Sequence, residues 1–157
     1  MGLNLEDVAE IVDLQVCRPP ADRIPARLYG VRALDGTFVA ELLGTGDAHD
    51  LARRIRPPAG LVAIAMACGA WAAPMDEDGN CSVRPSLHPE RRHIHITALV
   101  GGDGQEASVI RYPDREPLVG SGGIGRLPEG LLRCWSRRRD APRPARPSEA
   151  MRSRVAR

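Results

Sequence analysis

Two pairs of β-prone runs, each folded about a tight-turn sequence, restrict this chain more than any other feature. In residues 27–43, RLYGVRALDGTFVAELL, the runs flank Asp35-Gly36. Asp-Gly between alternating runs is a strong hairpin signal, because both residues tolerate positive φ. Residues 91–100, RRHIHITALV, alternate Ile94, Ile96 and Ala98 with His93, His95 and Thr97, and Gly101-Gly102-Asp103-Gly104 then turns the chain into Gln105 to Tyr112. Strands are expected at about 27–34, 37–43, 91–100 and 105–112.

Leu61 to Ala73, LVAIAMACGAWAA, is nearly all apolar, so hydrophobic periodicity does not separate a buried strand from a buried helix. Its start after Pro57-Pro58-Ala59-Gly60 and its interruption at Gly69 favour the strand. Three helices complete the pattern. Asn4 caps a first one, with Glu6 and Asp7 in the opening turn and Leu5, Val8, Ile11 and Val12 on one face, before Pro19-Pro20. Asp47 caps a second, about 48–56, stopped at Pro57-Pro58, and Pro128 opens a third, about 126–135. The expected fold is a single α+β domain over residues 1–135, an antiparallel sheet of about five strands with helices on one face.

Charge marks where that domain ends. Residues 1–135 carry 14 Arg against 18 acids, net −4, and residues 136–157 carry 8 Arg against 2 acids, net +6, which sum to the formal charge of +2. The basic segment has three prolines and, beyond Met151 and Val155, no large apolar residue, so it lacks the burial that offsets ordering entropy. A disordered tail over 136–157 is expected. Arg137, Arg138, Arg139, Arg143 and Arg146 are its candidate contacts to an acidic surface, because neutralising phosphates releases counterions and gives affinity without sequence readout.

No stretch approaches the roughly 18–20 apolar residues of a membrane helix, and Glu6, Asp7, Glu10 and Asp13 stand where a secretory signal carries positive charge. Cys17, Cys68, Cys81 and Cys134 form no Cys-x-x-Cys pair and read as reduced thiols. A cytoplasmic protein with no membrane partner is the expectation.

The residues with most chemical capacity lie between Cys81 and His95. Two histidines at i and i+2 on a strand share a face, so His93 and His95, with His88 or Cys81 from the preceding loop, are candidate metal ligands. Arg84, Arg91 and Arg92 oppose a bound cation, and no carboxylate has an evident supporting position. The same run also reads as an anion site of Arg84, His88, Arg91, Arg92, His93 and His95, since forked guanidinium donors match phosphate. The plainer alternative puts the two strand histidines on a solvated face. Gly120-Ser121-Gly122-Gly123-Ile124-Gly125 lacks the strand context of a dinucleotide loop, and without any lysine the chain has no Walker pattern. Asp76, Glu77 and Asp78 lack calcium-loop spacing and read as a turn. No Ser or Cys sits in a nucleophile signature, and no cofactor is implied.

Trp71 after an apolar strand, followed by Pro85-Ser86-Leu87-His88-Pro89-Glu90-Arg91 and another strand, resembles a pattern in bacterial and phage proteins of no assigned activity. In that pattern a strand ending Glu-x-Trp precedes Pro-Ser-x-His-Pro-x-Arg. The resemblance covers residues 61–112 and implies a strand-and-hairpin fold without a mechanism; Gly69 stands where the pattern carries Glu. Together these readings favour a non-catalytic binding or adaptor module whose arginine-rich tail contacts nucleic acid or an acidic protein surface. The alternative is a small metal-dependent or anion-binding enzyme centred on Cys81, His88, His93 and His95.

Overall fold

The computed structural model describes residues 3–18, 25–79, 83–121 and 127–143. Its centre is one antiparallel sheet of six strands, β1 (Ala26–Leu34), β2 (Thr37–Gly46), β3 (Ala63–Ala72), β4 (Arg92–Gly101), β5 (Gln105–Arg111) and β6 (Leu118–Gly120). The strands lie side by side in the order β2-β1-β3-β4-β5-β6. Three helices accompany it: α1 (Leu5–Val16), α2 (Ala48–Arg54) and α3 (Leu127–Ser136).

Both expected hairpins form. Asp35 and Gly36 take φ of 48° and 80°, and Leu34 faces Thr37 across the turn. This is the two-residue turn whose twist matches that of the flanking strands. The apolar run 61–73 is the central strand β3, paired with β1 on one side and β4 on the other. The sixth strand is an addition to the five expected; it is only three residues long and closes onto β5 through Ser108 to Gly120 and Ile110 to Leu118.

The helices divide between the faces, where the sequence pattern suggested that all would share one. α2 and α3 cover Leu28, Ile64, Met66, Ile96, Ala98 and Val100, burying Leu51, Leu131, Cys134 and Trp135 against them. α1 covers the opposite face, packing Leu5, Val8, Ala9, Val12 and Val16 on Tyr29, Val31, Ala63, Ala65, Ala67, Leu99 and Val109. β3 therefore alternates by size: Ile64 and Met66 fill the space under α2 and α3, and Ala63, Ala65 and Ala67 let α1 come close.

Caps fix the helix ends. The Asn4 side chain accepts from the Glu6 amide at 3.1 Å, and Asp47 accepts from the Asp50 amide at 3.0 Å. Trp135 Nε1 donates to the Gly102 carbonyl at 3.0 Å, tying α3 to the β4–β5 turn. Gln15 on α1 reaches the outer edge of the sheet: its amide nitrogen donates to Phe38 O at 2.7 Å, and its oxygen accepts from Ala40 N at 2.9 Å. A single side chain thus satisfies two backbone groups of edge strand β2 that face away from β1.

Residues 137–140, at the start of the stretch expected to be a tail, contact the body. Arg137 donates to the carbonyls of Ala52 and Arg53 at the end of α2, and Arg139 N donates to Pro57 O at 3.0 Å. Asp140 accepts from Gly60 N at 3.0 Å, while Arg138 stacks on the Trp135 ring with its guanidinium carbon 4.1 Å from the centroid. The physical reason is that helix C-termini leave carbonyls unpaired, and arginine donors satisfy them. The remainder of the expected tail, 144–157, lies outside the described residues, as do Cys81 and 122–126 of the glycine-rich stretch.

Candidate functional site

The loop expected to gather an anion site folds back on itself. A single turn of 3-10 helix, Pro85–Leu87, follows the exposed Arg84. His88 Nδ1 accepts from the Glu90 amide at 3.0 Å, and Arg91 donates to the His88 carbonyl at 3.2 Å. The Arg91 guanidinium lies 4.9 Å from the centre of the Trp71 ring, whose other neighbour is His93, with ring centroids 3.5 Å apart. The tryptophan and the arginine that carry the sequence resemblance thus meet in one cation–π stack.

Strand alternation separates the other members of the set. Arg92 points to the opposite face from His93 and pairs with Asp114. His95 is 0 % exposed, beneath the end of α1. The solvated face suggested for His93 and His95 is therefore corrected: α1 covers it, and only His93 is partly exposed. Of the six candidates, Arg91 and His93 share Trp71, His88 holds Arg91 from the adjacent turn, Arg92 pairs with Asp114 on the other face, His95 is buried, and Arg84 is exposed in the preceding loop. Among the described residues no group of three or more metal-ligating side chains is present. Asp76 accepts from the Asp78 amide in a short turn, as its spacing suggested.

Two thiols, Cys68 and Cys134, are held protonated by burial. Burial pushes Cys68 up to about 11, and burial also raises Cys134, whose Sγ donates to the Ile55 carbonyl at 3.4 Å. Neither is an activated nucleophile.

Sequence reasoning missed a polar cluster under α1. Asp13, 1 % exposed, accepts from Thr97 Oγ1 at 2.7 Å and from Arg111 Nε at 2.6 Å. Arg27 donates to the Tyr29 hydroxyl at 2.8 Å. Burial lowers the pKa of His95, Asp13 opposes that shift, and Arg27 and Arg111 reinforce it. Gly69 faces His95 directly across β3 and β4, so the acid of the resembled pattern would stand opposite this imidazole. Asp13 within an apolar helix face was the one signal available beforehand.

A second cluster gathers on the α2 and α3 side. A cleft of about 670 Å³ is lined by His49, Arg53, Glu129, Arg133 and Arg137, and a neighbouring one of about 470 Å³ by Arg56, Arg137, Arg138, Arg139 and Arg143. Arg53 and Arg54 pair with Asp50, and Arg56 donates to the Arg137 carbonyl at 3.0 Å. Of the expected tail contacts, Arg137 and Arg138 are held by the body, Arg139 and Arg143 are exposed at its surface, and Arg146 lies outside the described residues. No helix among the described residues is long and apolar enough to cross a membrane. No protein-family model matches the chain, and neither the curated proteins nor the solved structures contain a match to it.

Proposed function

We propose that the protein is a non-catalytic module that docks on a nucleic-acid backbone through its arginine surface. The supporting observation is the packing of α2 on α3, which merges Arg53, Arg54, Arg56 and Arg133 with Arg137, Arg138, Arg139 and Arg143 into one surface interspersed with Asp50, Glu129 and Asp140. Helix dipoles account for basic residues in the last turns of α2 and α3. They do not account for Arg139 and Arg143, which lie beyond both helices and are exposed. Trp135, the aromatic between Arg133 and Arg137, is buried and covered by Arg138, so it offers no face for base stacking and the contact reads phosphate charge and not bases.

Fluorescence anisotropy with a labelled duplex tests the reading. Binding through about five phosphates weakens roughly 10²–10³-fold between 50 and 200 mM salt. Reversing Arg133 and Arg139 together to Glu lowers the affinity and flattens the salt slope by about one unit per lost contact. Affinity that ignores salt, or that survives the double reversal, defeats the proposal. Binding to an acidic protein but not to the duplex transfers the surface to that other partner class.

A further inference from the structure

The polar cluster under α1 holds a charge that no described residue neutralises. Arg27 is 9 % exposed, and its terminal nitrogens donate to two neutral oxygens, the Tyr29 hydroxyl and the Val16 carbonyl, each at 2.8 Å. No carboxylate among the described residues pairs with it. Its Nε has no hydrogen-bond partner, and neither ring nitrogen of the fully buried His95 has one. The two residues share a sheet face: Arg27 faces Ala67, Ala67 faces Thr97, and His95 is the next residue of β4 on that side. Asp13, the acid in the cluster, is already engaged by Thr97 and Arg111.

Buried polar groups are almost always partnered, and buried charges are compensated. Among the described residues, Arg27 and Arg111 against Asp13 leave one positive charge in excess. A water molecule answers the hydrogen bonds but not the charge, whereas an anion answers both. We propose that Arg27 and His95 together bind a small monovalent anion, which accepts hydrogen bonds from the Arg27 Nε–H and one imidazole N–H. The neutral imidazole supplies a single donor, so its other nitrogen remains an acceptor. A cleft of about 330 Å³ lined by Cys17, Arg18, Arg111, Tyr112 and Arg115 opens beside the cluster, and Arg111 belongs to both. Three guanidinium groups at that opening raise the local anion concentration. The ligand class is a free halide-sized ion or the carboxylate terminus of a small metabolite. This site is on the opposite sheet face from the arginine surface and does not depend on nucleic-acid binding.

The test uses the full chain, dialysed free of chloride and titrated with sodium bromide, formate or propionate at constant ionic strength. Saturable shifts of the His95 ring resonances are expected, with His49 and His88 unmoved and a raised thermal midpoint. Arg27→Met weakens the response at least tenfold, and Arg53→Ala leaves it unchanged. Propionate binding more tightly than formate and bromide identifies a carboxylate terminus; equal binding identifies the free ion. A crystal grown in bromide shows anomalous scattering within hydrogen-bond distance of Arg27 Nε, which decides the matter even if Arg27→Met does not fold. A non-saturating response, or one that Arg27→Met retains, means an adventitious ion only and overturns the proposal. A water peak without anomalous signal overturns it too.

Discussion

Removing the Asp13 carboxylate tests whether the polar cluster holds α1 to the sheet. Asp13→Ala deprives Thr97, which is fully buried, of its acceptor; an unsatisfied buried hydroxyl costs about 1–3 kcal/mol. It also strips Arg111 of its ion-pair partner. The Arg111 side chain is 29 % exposed and Asp13 1 %. That loss falls between the roughly 0–1 kcal/mol of an exposed pair and the roughly 3–5 kcal/mol of a buried one, and about 2 kcal/mol is a fair midpoint. The total of about 4 kcal/mol corresponds to a fall in Tm of roughly 8–16 °C for a chain of this size. Asp13→Asn keeps an acceptor for Thr97 and loses only the charge, so about 2 kcal/mol is expected. Urea unfolding followed by far-ultraviolet circular dichroism measures both, with an unchanged m-value as the condition for comparing them. A cycle with Thr97→Val should return a coupling of about 1–2 kcal/mol. If Asp13→Ala shifts stability by no more than about 0.5 kcal/mol, the range of ordinary surface changes, the cluster does not anchor the helix.

Three further outcomes are expected. Because burial lowers the folded-state pKa of His95, the unfolded chain takes up a proton first, near pH 6.5; this contribution to stability is full above that pH and is lost as pH falls below it. Urea midpoints at pH 7.5, 6 and 5 should decline less steeply in His95→Leu than in the parent, and parallel declines would refute the assignment. Arg137→Ala removes the donor to the Ala52 and Arg53 carbonyls, lowering stability by about 1–2 kcal/mol and opening the bonds after Trp135 to limited proteolysis, whereas an unchanged digestion pattern contradicts the anchoring role. Arg91→Ala loses a cation–π contact worth about 0.5–1 kcal/mol; a phosphate titration followed by NMR should leave His88 and His93 unshifted in parent and variant alike, because their loop makes its hydrogen bonds internally.

The hairpins, the capped helices and the α+β class were legible because each rests on local rules: Asp35-Gly36 permits positive φ, Asn4 and Asp47 accept amide protons, and prolines end helices. The central strand was harder, since both of its faces are apolar and its alternation is in volume: Ile64 and Met66 against Ala63, Ala65 and Ala67. Reading size as well as polarity would have revealed two helix-covered faces. β6 escaped because three residues after Pro117 give no period to detect. The Cys81–His95 run misled by proximity in sequence, which strand alternation undoes by turning Arg92 away from His93 and sending His95 inward. The Asp13 cluster escaped for the opposite reason, as its members come from α1, β1, β4 and β5 and meet only when α1 docks.

Gln15 gives that docking a further consequence. The helix that buries the alanine side of the sheet is also the one whose side chain occupies Phe38 O and Ala40 N on the outermost strand. If α1 peels away, an apolar surface and an unsatisfied strand margin become available to neighbouring molecules in the same instant. Detachment of α1 alone is then enough to seed aggregation, so variants that loosen this helix are expected to shorten the shelf life of a concentrated sample by more than their effect on the stability of the whole domain.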